Sequence, residues 1–178
     1  MPSSRPEPLP YICNRIIQIK PKSILDIGIG FGKYGFLARE YTDVWRTNAE
    51  GYWNWKTLID GIEIYERYIT DLQRIIYNNI YIGNALDIIP ENNLYYDLII
   101  MSDVLEHFSK EDGEKVLAVI KKYGNTGLIV TPVNVLPQGA VYNNRFESHI
   151  SKWNETELKQ WGKVIKTGNA YILDMQEE

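Results

Sequence analysis

The sequence predicts an α/β fold: a doubly wound, mostly parallel sheet with helices on both faces, closed by a C-terminal antiparallel hairpin. Three observations predict it. Short apolar runs alternate with segments of helical periodicity along most of the chain. The first such run leads into a glycine-rich turn, Gly28, Gly30, Gly32 and Gly35, that opens a helix. The last two, Val164 to Thr167 and Tyr171 to Asp174, flank Gly168-Asn169 as the arms of a hairpin. Right-handed crossovers then leave few ways to connect the strands.

Met1 to Pro10 carries four prolines and reads as an extended arm. Ile12, Ile16 and Ile19 recur at helical spacing until Pro21 stops the pattern, which predicts a short amphipathic helix containing Cys13 as a buried residue. Ser23 to Ile27 is the first strand, and Lys33 to Glu40 the helix behind its glycine turn. From Tyr41 to Leu58 periodicity fails and Trp45, Trp53 and Trp55 cluster with Gly51, which predicts an inserted aromatic-rich loop, packed as a lid or satellite cluster. Asp60 to Ile64 is the second strand, followed by a helix with Ile69, Leu72, Ile75 and Ile76 on its apolar face. Ile80 to Ile82 is the third strand and ends at Gly83-Asn84.

Tyr96 to Ser102 is a continuous apolar run, as expected of a central strand covered on both faces. Ser109 and Asp112 mark the start of the next helix, Val116, Leu117, Ile120 and Tyr123 form its stripe, and Gly124 closes it. Leu128 to Thr131 is a fifth strand halted by Pro132. A polar loop runs on to Trp153, and Asn154 with Glu157 starts a short helix ending at Gly162.

At 178 residues the chain has the size of one domain, which buries roughly 70% of the surface its unfolded chain exposes. Its 44% apolar and 24% charged residues are ordinary for a globular protein. A net charge of -4 provides no global positive field, so nucleic acid is disfavoured as a partner. A single cysteine allows no intrachain disulfide and no leader-like segment precedes it, so a cytoplasmic location is the expectation. No apolar run is long enough to span a bilayer. One cysteine and two histidines show no metal-ligand spacing, so no metal is expected.

In a doubly wound sheet, ligands bind at the carboxyl ends of the strands where strand order reverses. The turn Asp26-Ile27-Gly28-Ile29-Gly30-Phe31-Gly32 falls there, where glycines let a ligand approach the backbone. Glu63 ends the second strand, and a carboxylate can accept two hydrogen bonds from a ribose diol. Asn84 follows the third, within reach of an adenine edge. Together they outline an adenosine-sized pocket.

With these residues the sequence resembles the class I S-adenosylmethionine-dependent methyltransferases over nearly its whole length, from Ser23 to the final hairpin. The anchors are Leu25-Asp26-Ile27-Gly28-Ile29-Gly30-Phe31-Gly32, Glu63, and Tyr96-Asp97-Leu98-Ile99-Ile100 through Leu105-Glu106-His107. The resemblance implies a Rossmann-like seven-stranded sheet whose final strand runs antiparallel, and S-adenosyl-L-methionine as cofactor. By position, it implies that Asp26 with the turn of Gly28, Gly30 and Gly32 holds the methionine end of the cofactor. Glu63 and Ile64 would meet the ribose, Asn84 and Ala85 the adenine, and Ser102 and Asp103 would flank the methyl donor. Asn84 stands where many members have aspartate, but its oxygen can accept the same hydrogen bond.

Methyl transfer from a sulfonium needs alignment more than a nucleophilic side chain. A base is useful when the acceptor is a hydroxyl or protonated amine, and His107, Glu106 and His149 are the candidates, with Glu147 beside them. A small-molecule acceptor is expected first and a protein or peptide second. The insert, the segment around His107 and the loop from Val133 to Trp153 should shape its side. Two other readings stand beside this one. Gly30-Phe31-Gly32-Lys33-Tyr34-Gly35 also fits the dinucleotide pattern of a NAD-dependent oxidoreductase, although a carboxylate at Asp26 would repel a pyrophosphate and attract a sulfonium. The chain could also be a non-catalytic S-adenosylmethionine-binding partner subunit.

Overall fold

The two most apolar runs of the sequence occupy the middle of a seven-stranded sheet, because only there are both faces of a strand covered. The structure, a computed structural model, describes residues 4–45 and 54–176. In chain order its elements are α1 (Leu9–Ile19), β1 (Ser23–Ile27), α2 (Lys33–Arg39), β2 (Leu58–Glu63), α3 (Asp71–Ile76), β3 (Asn79–Ile82), α4 (Ala85–Glu91), β4 (Tyr96–Ser102), α5 (Lys110–Tyr123), β5 (Gly124–Pro132), α6 (Glu155–Leu158), β6 (Lys163–Thr167) and β7 (Ala170–Gln176). The sheet order is β3-β2-β1-β4-β5-β7-β6. The first five strands are parallel, β7 runs antiparallel to β5, and β6 antiparallel to β7. The mostly parallel sheet and its closing hairpin are as the sequence predicts.

Strand order reverses between β1 and β4, so the carboxyl ends of β1, β2 and β4 open onto one crevice. Each face of the sheet carries a core. Ile12, Ile16, Ala38, Ile59, Leu98 and Ile100 pack on one side; Leu25, Ile99, Met101, Val116, Leu117 and Ile120 pack on the other. At the opposite end from the crevice, the Asp97 carboxylate accepts from the Lys22 and Ser23 N–H groups and fixes the entry of β1 beside β4. Among the described residues, no helix is long and apolar enough to cross a membrane.

Several local expectations need correction. The helix after β2 buries only part of the predicted stripe: Ile76 is buried and Ile69 packs against the core, but Leu72 and Ile75 are exposed and Gln73 faces inward instead. A fully hydrogen-bonded amide explains the exchange, since Gln73 donates to Gly30 O at 2.6 Å and to Tyr68 O at 3.0 Å and accepts from the Thr70 N–H at 2.9 Å. Helix α4, between β3 and β4, has no counterpart in the sequence reading. It is only seven residues long and has Pro90 in its last turn, which masks its period. The arm predicted to Pro10 turns helical at Leu9, and Cys13 is half-buried rather than buried. The expected insert begins with a π-helical turn, Glu40–Val44, that continues α2; residues 46–53, with Trp53, lie outside the described part.

A buried arginine holds that region to the sheet. Arg39 donates to Asp43 Oδ2 at 2.7 Å, to Thr57 O at 2.7 Å, to Ile76 O at 2.9 Å and to Asn78 Oδ1 at 3.0 Å, with the Trp55 ring 4.5 Å from its guanidinium carbon. Burial alone would raise the Asp43 carboxyl, but the Lys56 N–H, the Arg39 guanidinium and the Thr57 N–H together hold it below its ordinary value. Removing one member strands the other in the interior. Arg39→Ala is therefore expected to cost roughly 3–5 kcal/mol in urea denaturation. Because the folded-state value of Asp43 is depressed, its contribution is complete above the unfolded value near ~4 and disappears as pH falls through the folded one. Asp43→Asn should blunt that acid loss in denaturation series at low pH.

Candidate active site

The crevice holds a cavity of about 770 Å³, a size typical of cofactor and small-molecule sites. Its floor is the turn after β1. Gly28 and Gly30 have φ of +74° and +47°, and a Cβ at Gly28 would collide with Val104 just past β4. The Gly30 N–H donates to Glu63 Oε2 at 3.0 Å, and the Tyr65 N–H to Glu63 Oε1 at 3.0 Å. Burial raises the Glu63 carboxyl above its ordinary value despite these two donors.

Of the sequence-predicted cofactor residues, Gly28, Gly30, Glu63, Ile64, Asn84, Ala85, Ser102 and Asp103 line this cavity. Asp26 and Gly32 do not. Asp26 is 2% exposed beneath the turn, where it accepts from the Tyr77 hydroxyl at 2.6 Å. Burial lifts its carboxyl to about 7, against the opposing pull of Tyr77 and the Gly35 N–H. The glycine at 35 lets Tyr77 come close, since a Cβ there would meet the Tyr77 ring. Asp26 thus sits beneath the turn, bonded to Tyr77, rather than at its mouth, where the sequence reading puts it. Asn84 reaches the cavity as the N-cap of α4, with its Oδ1 accepting from the Leu86 N–H at 3.0 Å.

At the end of β4, Ser102 Oγ lies 3.1 Å from the Tyr34 hydroxyl, and Asp103 adopts φ +53°, a left-handed backbone that few non-glycine residues take. Its carboxylate accepts from the Arg5 N–H at 3.2 Å, while Lys33 Nζ bonds to Ser4 O, so the residues before α1 cross the rim of the cavity. Burial raises the Asp103 carboxyl. Glu106, 1% exposed, is pushed up to about 8 by burial and by the neighbouring Asp103.

The opposite wall comes from the loop between β5 and α6. Tyr68 donates to Glu147 Oε1 at 2.8 Å and receives Asn144 Nδ2 at 3.3 Å; burial lifts its hydroxyl to about 12. The Ile150 and Ser151 N–H groups donate to Glu106 O at 3.0 and 3.1 Å. These bonds bring His149 beside His107, with ring centroids 5.0 Å apart. His107 Nδ1 is 3.0 Å from Ser148 O, and burial lowers its pKa. The three candidate bases therefore do meet at one place in the cavity. Residues 41–45 and 54–58 do not line it, so the described part of the insert, which the sequence reading expects to help shape this space, contributes nothing to its wall. Sequence reasoning passed over Arg5, Lys33, Tyr68, Gln73 and Asn144, whose roles depend on contacts far apart in the chain.

No protein-family model and no curated protein sequence matches this chain. Solved structures do. The methyltransferase domain of bacterial CtHen1 superposes with a TM-score of 0.63 at 15% identity, covering 96% of this chain and 98% of that one. A putative caffeoyl-CoA O-methyltransferase from Staphylococcus aureus gives 0.64 at 18% identity, over 99% and 86%. The N-terminal domain of EvdMO1, solved in the presence of S-adenosylhomocysteine and D-fucose, gives 0.62 at 12% identity, over 97% and 82%. The chain has the class I methyltransferase fold. Within that fold, the carboxyl ends of β1, β2 and β4 described above form the crevice.

The burial of Asp26 has a thermodynamic signature. Its folded-state pKa lies above the unfolded value, so its contribution to stability is complete below ~4 and is lost as pH rises toward about 7. Asp26→Asn should be more stable than the wild type at pH 8 and should flatten the stability slope between roughly pH 4 and 7, as read from urea denaturation across that range.

Proposed function

We propose that this chain is an S-adenosylmethionine-dependent methyltransferase acting on a small-molecule acceptor. One observation carries this reading against a nicotinamide-dependent one: the amides of Gly28, Ile29, Gly30 and Gly32 in the glycine turn are already bonded within the fold. Gly28 N–H and Ile29 N–H donate to Ile62 O at 2.8 and 3.3 Å, Gly30 N–H to Glu63, and Gly32 N–H to Ile29 O at 2.7 Å. A dinucleotide fold offers such amides to a pyrophosphate. Here an anion would instead meet the Glu63 carboxylate.

The lining extends that preference. Glu63, Asp103, Glu106, Asp112 and Glu147 stand against Arg5 and Lys33. Carboxyls whose pKa is raised by burial gain from a positive neighbour, so the cavity favours a ligand bearing sulfonium and ammonium groups over a diphosphate. These residues, rather than Asp26, give the cavity its acidic lining.

Bound there, S-adenosylmethionine supplies an activated methyl group for in-line displacement. The work left to the chain is binding and alignment. Glu63 keeps lone pairs free for ribose hydroxyls, and Asn84 keeps its NH₂ for the adenine ring. Arg5 and Lys33 suit the carboxylate of the methionine part. Ser102 and Asp103 would flank the methyl group, and Glu106, His107 and His149 the acceptor. The loop tied over the cavity by Tyr68, Asn144 and Glu147 bounds the acceptor space, which supports a small molecule over a folded protein.

Calorimetric titration tests the cofactor. S-adenosylhomocysteine should bind with micromolar affinity and NADH should not; NADH binding without S-adenosylhomocysteine binding overturns the reading. Glu63→Gln should weaken S-adenosylhomocysteine by about 1–3 kcal/mol with an unchanged circular dichroism spectrum. Labelled-methyl transfer into a metabolite extract is the expected catalytic readout. Transfer only into a protein extract would move the acceptor class, and tight binding with no transfer into either would favour a partner subunit.

A further inference from the structure

We propose that Glu106, His107 and His149 bind a divalent first-row transition cation at the acceptor end of the cavity. One ligand atom from each of the three lies within 4.8 Å of the other two, and all three residues line the cavity. Ligand bonds of about 2.1 Å place the donors around one ion roughly 3 to 4 Å apart, so only a small closure of side chains completes the set.

The surroundings of each ligand fit this role. A carbonyl oxygen only accepts, so His107 Nδ1, 3.0 Å from Ser148 O, and His149 Nδ1, 2.7 Å from Leu136 O, each carry their proton on Nδ1. In a ring held this way, the lone pair available to a metal is on Nε2. Backbone carbonyls holding the distal N–H of metal-binding imidazoles are the usual outer shell of such sites, since they fix the tautomer and aim the ring. With centroids 5.0 Å apart and planes at 48°, the two rings are near enough for one cation to reach a nitrogen of each. Glu106 adds a nearly fully buried carboxylate whose side-chain partner is the Thr131 hydroxyl at 3.2 Å, and among the described residues no basic side chain forms an ion pair with it. Ionising a carboxyl this deeply buried is costly, and a bound cation offsets that cost.

Main-chain bonds make the arrangement a built one. Glu106 and His107 share the 3₁₀ turn after β4, Leu105–His107, and the Ile150 and Ser151 N–H groups clamp the loop to Glu106 O, so His149 is brought to the turn by backbone geometry. Two imidazoles and one carboxylate suit zinc, cobalt, manganese or iron better than magnesium or calcium, which prefer all-oxygen sets. Three protein ligands leave positions open toward the cavity, as in catalytic rather than structural sites. An acceptor hydroxyl bound at an open position would have its pKa lowered. Its proton would pass to solvent, its oxygen would form the new bond to the methyl carbon, and the carbon–sulfur bond would break with its electron pair left on sulfur. This last step rests on the methyltransferase reading, whereas cation binding does not.

Cobalt(II) titration of the chelator-stripped full chain, followed by visible absorption, tests the site, with zinc competition and elemental analysis of the purified protein alongside. One cobalt per chain with ligand-field bands, displaced by zinc, is expected. His149→Ala and Glu106→Gln should each weaken cobalt by about 100-fold while keeping S-adenosylhomocysteine binding and the circular dichroism spectrum. No cobalt or zinc uptake by the wild type up to about 1 mM, or variants that bind both metals like the wild type, overturns the site. Cation binding without S-adenosylhomocysteine binding would support the site and overturn the cofactor reading instead; the reverse pattern would overturn the site alone.

Discussion

The bond from the Gly30 N–H to the Glu63 carboxylate decides what this cavity can hold. It joins the turn after β1 to the end of β2, and from below Gln73 grips the same residue by its carbonyl, so both polar groups of the Gly30 backbone are fixed. A turn locked in this way cannot rotate its amides toward an anion. It leaves a buried carboxylate facing a space that other acidic groups also enter, and that space is therefore suited to positive charge. The parallel order of the sheet supplies the crevice, but this one contact sets its sign.

Much of the architecture was legible in the sequence because the relevant signals are local. Apolar runs bounded by glycine or proline located all seven strands, β1 and β4 at their observed bounds but β5 only from Leu128 rather than Gly124 and β2 from Asp60 rather than Leu58, and Gly168-Asn169 marked the hairpin. β3 was shifted by one residue at its start, where Asn79 pairs with Asp60 through its backbone and side chain. What failed was mostly periodicity in short elements. The α3 pattern pointed to Leu72 and Ile75, yet the sheet receives Gln73, because a polar side chain with all its hydrogen bonds made can replace an apolar one. The seven residues of α4 were too few to show a stripe.

The site was legible in its parts but not in its assembly. Glu63, Asn84, Ser102 and Asp103 follow strands, and their positions could be read from strand ends alone. Asp26 sits equally close in sequence, yet the alternation of side chains along β1 and the approach of Tyr77 turn it beneath the floor. His107 and His149 illustrate the converse. Nothing in their spacing suggests contact; a loop held by Tyr68, Asn144 and the carbonyl of Glu106 brings them together. Two histidines read as isolated in sequence become neighbours through backbone hydrogen bonds that no side-chain pattern encodes.

The contact between Gly28 and Val104 has a consequence for how this protein can diverge. Val104 lies between Asp103, with its left-handed backbone, and the turn that carries Glu106 and His107, and it fills the space that a side chain at position 28 would need. The two halves of the cavity that we propose for nucleoside and acceptor are thus geared through one methyl group. Bulk added on either side of that tooth shifts the other, so drift at positions 28 and 104 is constrained jointly, and new acceptor specificity is more readily gained on the loop across the cavity, where no such gear engages.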